Sequence, residues 1–189
     1  MSQPAIQQSF NSGEWAPNLY ARVDLAKYNS GAALLRNFFV DYRGGASTRT
    51  GTKYILRCLS TSTAVRLIPF QASFTVSYVL EFGNGYIRFY NNGAVVLETA
   101  IALTAATAAS PAVFTKNTHG LQNGDWVFAT LFAGGTWSTL NNKYFIVANR
   151  TANTFQLTDL FGVAVSGVGL GTWSAGSVAR VYTLASPYT

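Results

Sequence analysis

Charge is scarce in this chain. Asp, Glu, Lys and Arg together make up 11% of its 189 residues, well under the roughly 25% of ordinary soluble domains. An architecture of surface helices laced with ion pairs is therefore excluded, and a surface partly covered by neighbouring subunits is implied. Cysteine is nearly absent: with Cys58 alone, no intrachain disulfide can form. His119 is the only histidine, so a zinc site would have to draw its other ligands from carboxylates. Neither a structural metal nor a cofactor is expected. No apolar run approaches the roughly 18 uninterrupted residues of a membrane span, and MSQPAIQQSF lacks the basic segment and apolar run of a secretion signal. A protein made and kept in the cytosol, unless it leaves inside a particle, is the expectation.

What is abundant points to strands and turns. Aromatics reach 14% and glycines number 17, a balance suited to half-buried pleated surfaces joined by tight turns. The net charge of +6 arises from basic residues spread singly along the chain. Their densest stretch, Arg36, Arg43, Arg49, Lys53 and Arg57, is interleaved with Asp41 and apolar residues. Tracking a phosphate backbone needs several cations on one face, which the sequence does not place there.

After a polar N-terminal arm, Asp24 is a plausible N-cap for a helix through Leu25, Tyr28, Ala32, Leu35 and Arg36, weakened by Gly31. Beyond Asn37 the pattern turns to β-rich runs at 38–42, 53–59, 65–71, 76–82 and 86–90. Gly83-Asn84-Gly85 and Asn91-Asn92-Gly93 supply the positive φ angles that hairpin turns require. Together these predict a β-meander with one helix. Residues 103–111 collapse to Ala, Thr and Ser before a proline, as in a connector. Short strands then follow at 126–131, 144–148, 154–157, 163–165 and 178–182, a spacing that predicts a small closed or nearly closed barrel. The expected fold is mainly β in an α+β arrangement. An N-terminal unit of residues 1–102, completed by 183–189, carries an inserted β-barrel at 103–182. Gly135-Thr136-Trp137-Ser138 and Gly171-Thr172-Trp173-Ser174 echo each other, but one echo does not make an array.

Catalytic chemistry finds little support. A triad would have to be built around His119, yet Thr118-His119-Gly120-Leu121 with Asn123-Gly124-Asp125 reads as a turn leading into a strand. The seven acidic residues offer no pair close in sequence of the kind glycosidases use. Glu81 reads as the polar face of a strand. Residues 44–53 are glycine-rich but lack the G-x-x-x-x-G-K-[ST] order of a phosphate loop; they read as a mobile basic connection, with Arg43, Arg49 and Lys53 available to neighbouring subunits or to DNA. Trp126, Trp137 and Trp173 either fill the barrel core, as aromatics do in small domains, or form a sugar-stacking surface.

Several local signatures occur in a specific joint order: Phe10-Asn11-Ser12-Gly13-Glu14 with Pro17, Arg22-Val23-Asp24, Lys27-Tyr28, Asn37-Phe38, Gly44-Gly45-Ala46 with Arg49, Arg66-Leu67-Ile68-Pro69-Phe70 and Tyr78-Val79-Leu80-Glu81-Phe82-Gly83. In that order the first unit resembles the N-terminal region of tail tubular or nozzle proteins of short-tailed bacteriophages. Thr50, where the family usually has a proline, and Trp15, where a smaller residue is common, depart from it. The second unit, through Thr118-His119-Gly120-Leu121, Leu140-Asn141 with Tyr144, and Asn153-Thr154-Phe155-Gln156-Leu157, is similar to the first catalytic cysteine half-domain of ubiquitin-activating enzymes. It contains no cysteine, so ubiquitin-like activation is not implied.

The resemblance implies a non-enzymatic virion component of a phage or prophage, assembled in the bacterial host cytoplasm and residing in the tail. Its partners would be other tail or portal-complex proteins and copies of itself in a ring of six, with genomic DNA as a transient contact. Related proteins continue well past the final Pro-Tyr-Thr, so Thr189 reads as a truncation point. The alternative from a different class is a carbohydrate-binding module that recognises host-surface polysaccharide.

Overall fold

The computed structural model describes residues 7–188, and the chain forms two compact units, one up to Tyr54 and one from Ile55 onward. Strands are the main regular structure of both, joined by long turn and irregular segments. In the first unit β1 (Gly13–Glu14) pairs in parallel with β2 (Gly31–Ala32), and β3 (Phe38–Val40) forms an antiparallel hairpin with β4 (Ala46–Thr48).

The helix expected after Asp24 is absent. Only short 3₁₀ turns form there, at Pro17–Leu19 and Tyr28–Ser30. Arg22 takes both carboxylate oxygens of Asp24, at 2.8 and 2.6 Å, in place of the backbone N–H groups an N-cap would hold. Gly31 explains why the chain extends here. A Cβ at that position would lie 2.2 Å from the Trp15 indole nitrogen, so the glycine is needed for close packing beneath a ring.

The second unit contains two sheets. β5 (Arg66–Gln71), β6 (Ser77–Gly83) and β7 (Tyr86–Asn91) form the expected meander, with β8 (Ala94–Val95) and the late strand β16 (Thr183–Ala185) both added to β7. The other sheet has seven strands: β9 (Ile101–Ala102), β10 (Ala105–Ala106), β11 (Val113–Thr115), β12 (Trp126–Ala133), β13 (Lys143–Ala148), β14 (Thr154–Thr158) and β15 (Ala175–Arg180). Their order is β10-β11-β14-β13-β12-β15-β9. The first and last strands of that order belong to one stretch, joined by Leu103 and Thr104, whose N–H groups donate to Gly176 and Thr115 carbonyls. The sheet therefore curls into a barrel-like wall around an aromatic core, a shape that leaves few edges open.

Three expected segments differ. Residues 103–111 are not a loose connector: Leu103 is buried and β10 is part of the sheet, with Thr107 Oγ1 accepting from the Val113 N–H. Small side chains there let the strand run tightly against its neighbours. The 163–165 strand reduces to a bridge between Thr158 and Ala164, and 53–59 joins no ladder.

Phe114 is the centre of the barrel-like core. Its ring lies 5.8 Å from Phe132 and Phe155, 6.0 Å from Trp173 and 6.1 Å from Trp137, in stacked, tilted and edge-on arrangements that aromatic quadrupoles favour. The stretch that leaves the five-stranded sheet and the stretch that returns to it run side by side. Leu97 bridges Val181, the Glu98 N–H donates to the Arg180 carbonyl, and the Tyr182 N–H donates to Val96. At this neck Val95, Trp126 and Val181 form a second buried cluster, with Leu56, Leu59 and Tyr90 packed against it.

A buried ionic cluster and an open apolar face on one sheet

β6 and β7 alternate, and their register sorts two unlike sets of side chains onto opposite faces. Glu81 lies directly across from Arg88, Gly83 from Tyr86 and Val79 from Tyr90. Glu81 is therefore not the solvent-facing residue its strand position implied, because it and Arg88 are each only 1% exposed. Its carboxylate accepts from the Tyr86 hydroxyl at 2.6 Å, from the Tyr90 hydroxyl, and from the Leu59 N–H at 3.4 Å. Three donors thus hold the charge in place of water.

Arg88 faces a different environment. Its guanidinium carbon lies 4.3 Å from the centre of the Trp126 ring and 5.8 Å from that of Tyr86, while Nε and Nη1 have no hydrogen-bond partner. Burial, joined by the neighbouring Glu81, pushes the Tyr86 phenol up to about 12 and raises Tyr90 as well. Burial lowers Arg88, with Glu81 opposing it. Beside Arg88, Arg180 is held at 2.8 Å by Glu98 and at 3.3 Å by Asp125, around a polar cavity of about 190 Å³. The Glu98 bond is the main reason that Arg180 is raised.

The opposite face is open and largely apolar, with the exposed Arg66 at its end opposite Phe82. Register places Ile68, Phe70, Tyr78, Leu80, Phe82, Ile87 and Phe89 on it, and none of them is buried. Phe70 is 51% exposed, Leu184 on β16 46% and Tyr182 41%. A groove of about 480 Å³ runs between Phe70, Tyr78, Leu80, Phe89, Val96 and Tyr182.

The residues singled out from sequence fall elsewhere. Arg43, Arg49 and Lys53 are exposed in the first unit, but 44–53 is not one mobile loop. Its centre is β4, and the turn before it is fixed by Asp41, which accepts the Gly44 N–H on its carbonyl and the Arg43 N–H on its side chain. Serine and threonine at 47 and 48 tolerate a strand, and Gly44 takes φ +109° at the turn. Arg43 lies over its neighbour Tyr42, and the Arg49 N–H donates to the Asn37 carbonyl.

The three tryptophans share no outward surface. Trp137 is fully buried and donates to the Gly171 carbonyl at 3.0 Å, Trp173 packs edge-on against it at 5.2 Å, and Trp126 lies in the neck under Arg88. The repeated Gly-Thr-Trp-Ser segments touch: the Thr136 N–H donates to the Leu170 carbonyl, and a Cβ on Gly135 would lie 3.0 Å from the Gly171 Cα.

His119 belongs to a turn. The Leu121 N–H donates to its Nδ1 at 3.0 Å, which leaves Nε2 as the protonated nitrogen facing the Thr151 carbonyl, also at 3.0 Å. Asp125 accepts from the Gln122 N–H and from Arg180, with no bond to His119. Cys58 is half-buried, and burial, followed by Glu81, pushes its thiol up. Among the described residues no three His, Cys, Asp or Glu side chains are grouped to hold a metal, and no helix is long and apolar enough to cross a membrane. Comparison with protein-family models and with curated proteins finds no match to this chain.

Proposed function

We propose that the chain is a non-enzymatic structural component that packs its open sheet face against neighbouring copies of itself, as a subunit of the tail nozzle of a short-tailed phage would. The observation that carries this reading is the apolar face of the β5–β6–β7–β16 sheet. Large exposed apolar patches on soluble domains mark contact sites, and a chain with only 11% charged residues has little else with which to keep such a patch solvated. Packing goes through the face rather than the edge. Pro69 sits within the outermost strand β5 and has no N–H to offer an added strand.

The carbohydrate-binding alternative needed tryptophans on the barrel surface. Of Trp126, Trp137 and Trp173, the first two are buried and the third is half-buried, which supports the structural reading over that alternative.

Sedimentation of the purified chain over a range of concentrations tests the reading. Self-association with a Kd below about 1 mM is expected for the unaltered chain, and Phe70→Lys with Phe89→Lys, both on the open face, should abolish it without changing the circular dichroism. A chain that stays monomeric throughout, or one whose association ignores both substitutions, overturns the proposal.

A further inference from the structure

The first unit holds a pocket of about 530 Å³, within the roughly 300–1,000 Å³ of small-molecule sites. Its lining includes the rings of Trp15, Tyr20 and Tyr28 and the carboxamides of Gln7, Gln8 and Asn29, and among the described residues no Lys, Arg, His, Asp or Glu contributes to it. The rings are fixed in advance through their polar ends. Tyr20 Oη donates to the Ala33 carbonyl at 2.8 Å, Tyr28 Oη accepts the Ala21 N–H at 3.0 Å, and the Trp15 indole N–H points to the Tyr28 carbonyl at 3.4 Å. Trp15 and Tyr28 stack within 20° of parallel at 6.1 Å. Gln7 is anchored as well, its Nε2 donating to the Gly31 carbonyl at 2.6 Å and the Ser9 carbonyl at 3.2 Å.

With the Tyr20 O–H and the Trp15 N–H donated to backbone carbonyls and only the Tyr28 O–H left to donate, the aromatic residues offer mainly ring surface. A ring face is electron-rich and attracts the weakly positive C–H groups of an apolar ligand face. Gln7, with both N–H groups committed, offers its carboxamide oxygen, while Gln8 and Asn29 carry both donors and acceptors and so match hydroxyl groups, which are also both. A surface of C–H groups on one side and hydroxyls at the rim describes a pyranose. Nucleotides stack on aromatic rings too, but their phosphates call for cations, and no described residue lining this pocket carries one.

We infer that the pocket framed by Trp15, Tyr20 and Tyr28 binds a neutral hexose unit of an oligosaccharide. The inference is independent of the assembly reading, because the pocket lies wholly within the first unit and the open sheet face within the second.

Calorimetric titration of the full chain with neutral hexose oligomers (β-1,4-glucan, β-1,3-glucan, α-1,4-glucan and N-acetylglucosamine oligomers), beside polygalacturonate as an anionic probe, tests it. Saturable binding of at least one neutral oligomer, with a Kd no weaker than about 1 mM and no loss when salt is raised, is expected. Tyr20→Ala should weaken it by about tenfold or more, and Tyr20→Phe, which keeps the ring, should stay within about threefold of the parent. Tyr20 is 46% exposed, so both variants should fold, which circular dichroism checks. Failure of every neutral oligomer to bind, binding of polygalacturonate alone, or binding unchanged in a folded Tyr20→Ala protein overturns the inference.

Discussion

The pairing of Glu81 with Arg88 can be tested by a double-mutant cycle, because the two residues are held in unequal ways. Glu81→Gln keeps the shape of the side chain but removes the charge that offsets Arg88 and weakens the bonds from Tyr86 and Tyr90. It leaves behind a fully buried guanidinium whose Nε and Nη1 already lack partners. Breaking one side of a buried pair in this way costs about 3–5 kcal/mol. Arg88→Met should cost less. It forfeits the contact with Trp126 at 4.3 Å, of about 2 kcal/mol when desolvated, but it relieves the burial of two unmatched donors, about 1–3 kcal/mol. Glu81 would still keep its three donors. The net effect of Arg88→Met is therefore within about 1 kcal/mol of zero, and the double variant, which leaves no unpaired guanidinium, should be at least about 2 kcal/mol more stable than Glu81→Gln alone, a coupling energy of about 1 kcal/mol or more. Urea unfolding followed by tryptophan fluorescence reads all four proteins. A Glu81→Gln cost below about 1 kcal/mol, or additivity within about 0.5 kcal/mol, would refute the idea that the carboxylate compensates the guanidinium.

Stability should also fall in alkali. The Tyr86 phenol is raised to about 12 from an ordinary value of 10.0, so the folded state holds a proton that the unfolded state releases earlier; the contribution is complete below about pH 10 and is lost as pH rises through about 12. Tyr86→Phe should lessen, and not abolish, the fall of urea midpoints across that window, because Tyr90 is raised as well. Gly135→Ala should cost at least about 3 kcal/mol, because Gly135 has φ +50° and a Cβ there would lie 2.0 Å from the Leu170 carbonyl oxygen. Gly162→Ala, at φ +90° with nothing within 4 Å, should cost only about 1–2 kcal/mol, and equal midpoints for the two variants would count against the overlap.

The strands were legible because their periodicity and turns agree. The run at 76–82, the turn at Gly83-Asn84-Gly85 and the run at 86–90 became β6 and β7 within a residue at each end, and 126–131, 144–148 and 154–157 became β12, β13 and β14 with modest extensions. The helix failed because Gly31 read as a weak helical residue. Its role, close packing under Trp15, is a tertiary fact that local propensity does not carry. Glu81 was misread for a subtler reason. The hairpin pairs Gly83 with Tyr86, and counting outward from that turn sets Glu81 opposite Arg88. With Tyr86 and Tyr90 on the same face, the sequence contained the whole cluster. What it did not contain was which face is buried, since alternation is symmetric between in and out.

That ambiguity bears on the open face itself. In an antiparallel sheet with one face covered, the apolar side usually turns inward and the polar side outward. Here Glu81 and Arg88 are turned inward, while Ile68 and Phe70 are exposed and Leu80 and Phe89 only half-buried; Leu67 and Val79, on the Glu81 side toward the β5 edge, are exposed as well. Burying two charges forgoes stability that an apolar pair would have supplied more readily, so the arrangement is not the one that best stabilises an isolated chain. It does fix register. A slip of one residue between β6 and β7 would carry Glu81 out of reach of its tyrosines and turn the large apolar side chains inward. The ionic cluster thus opposes the very rearrangement that would hide the apolar face. A sheet with its register pinned from one side can present a fixed apolar surface on the other, which is what a repeated contact between identical subunits requires.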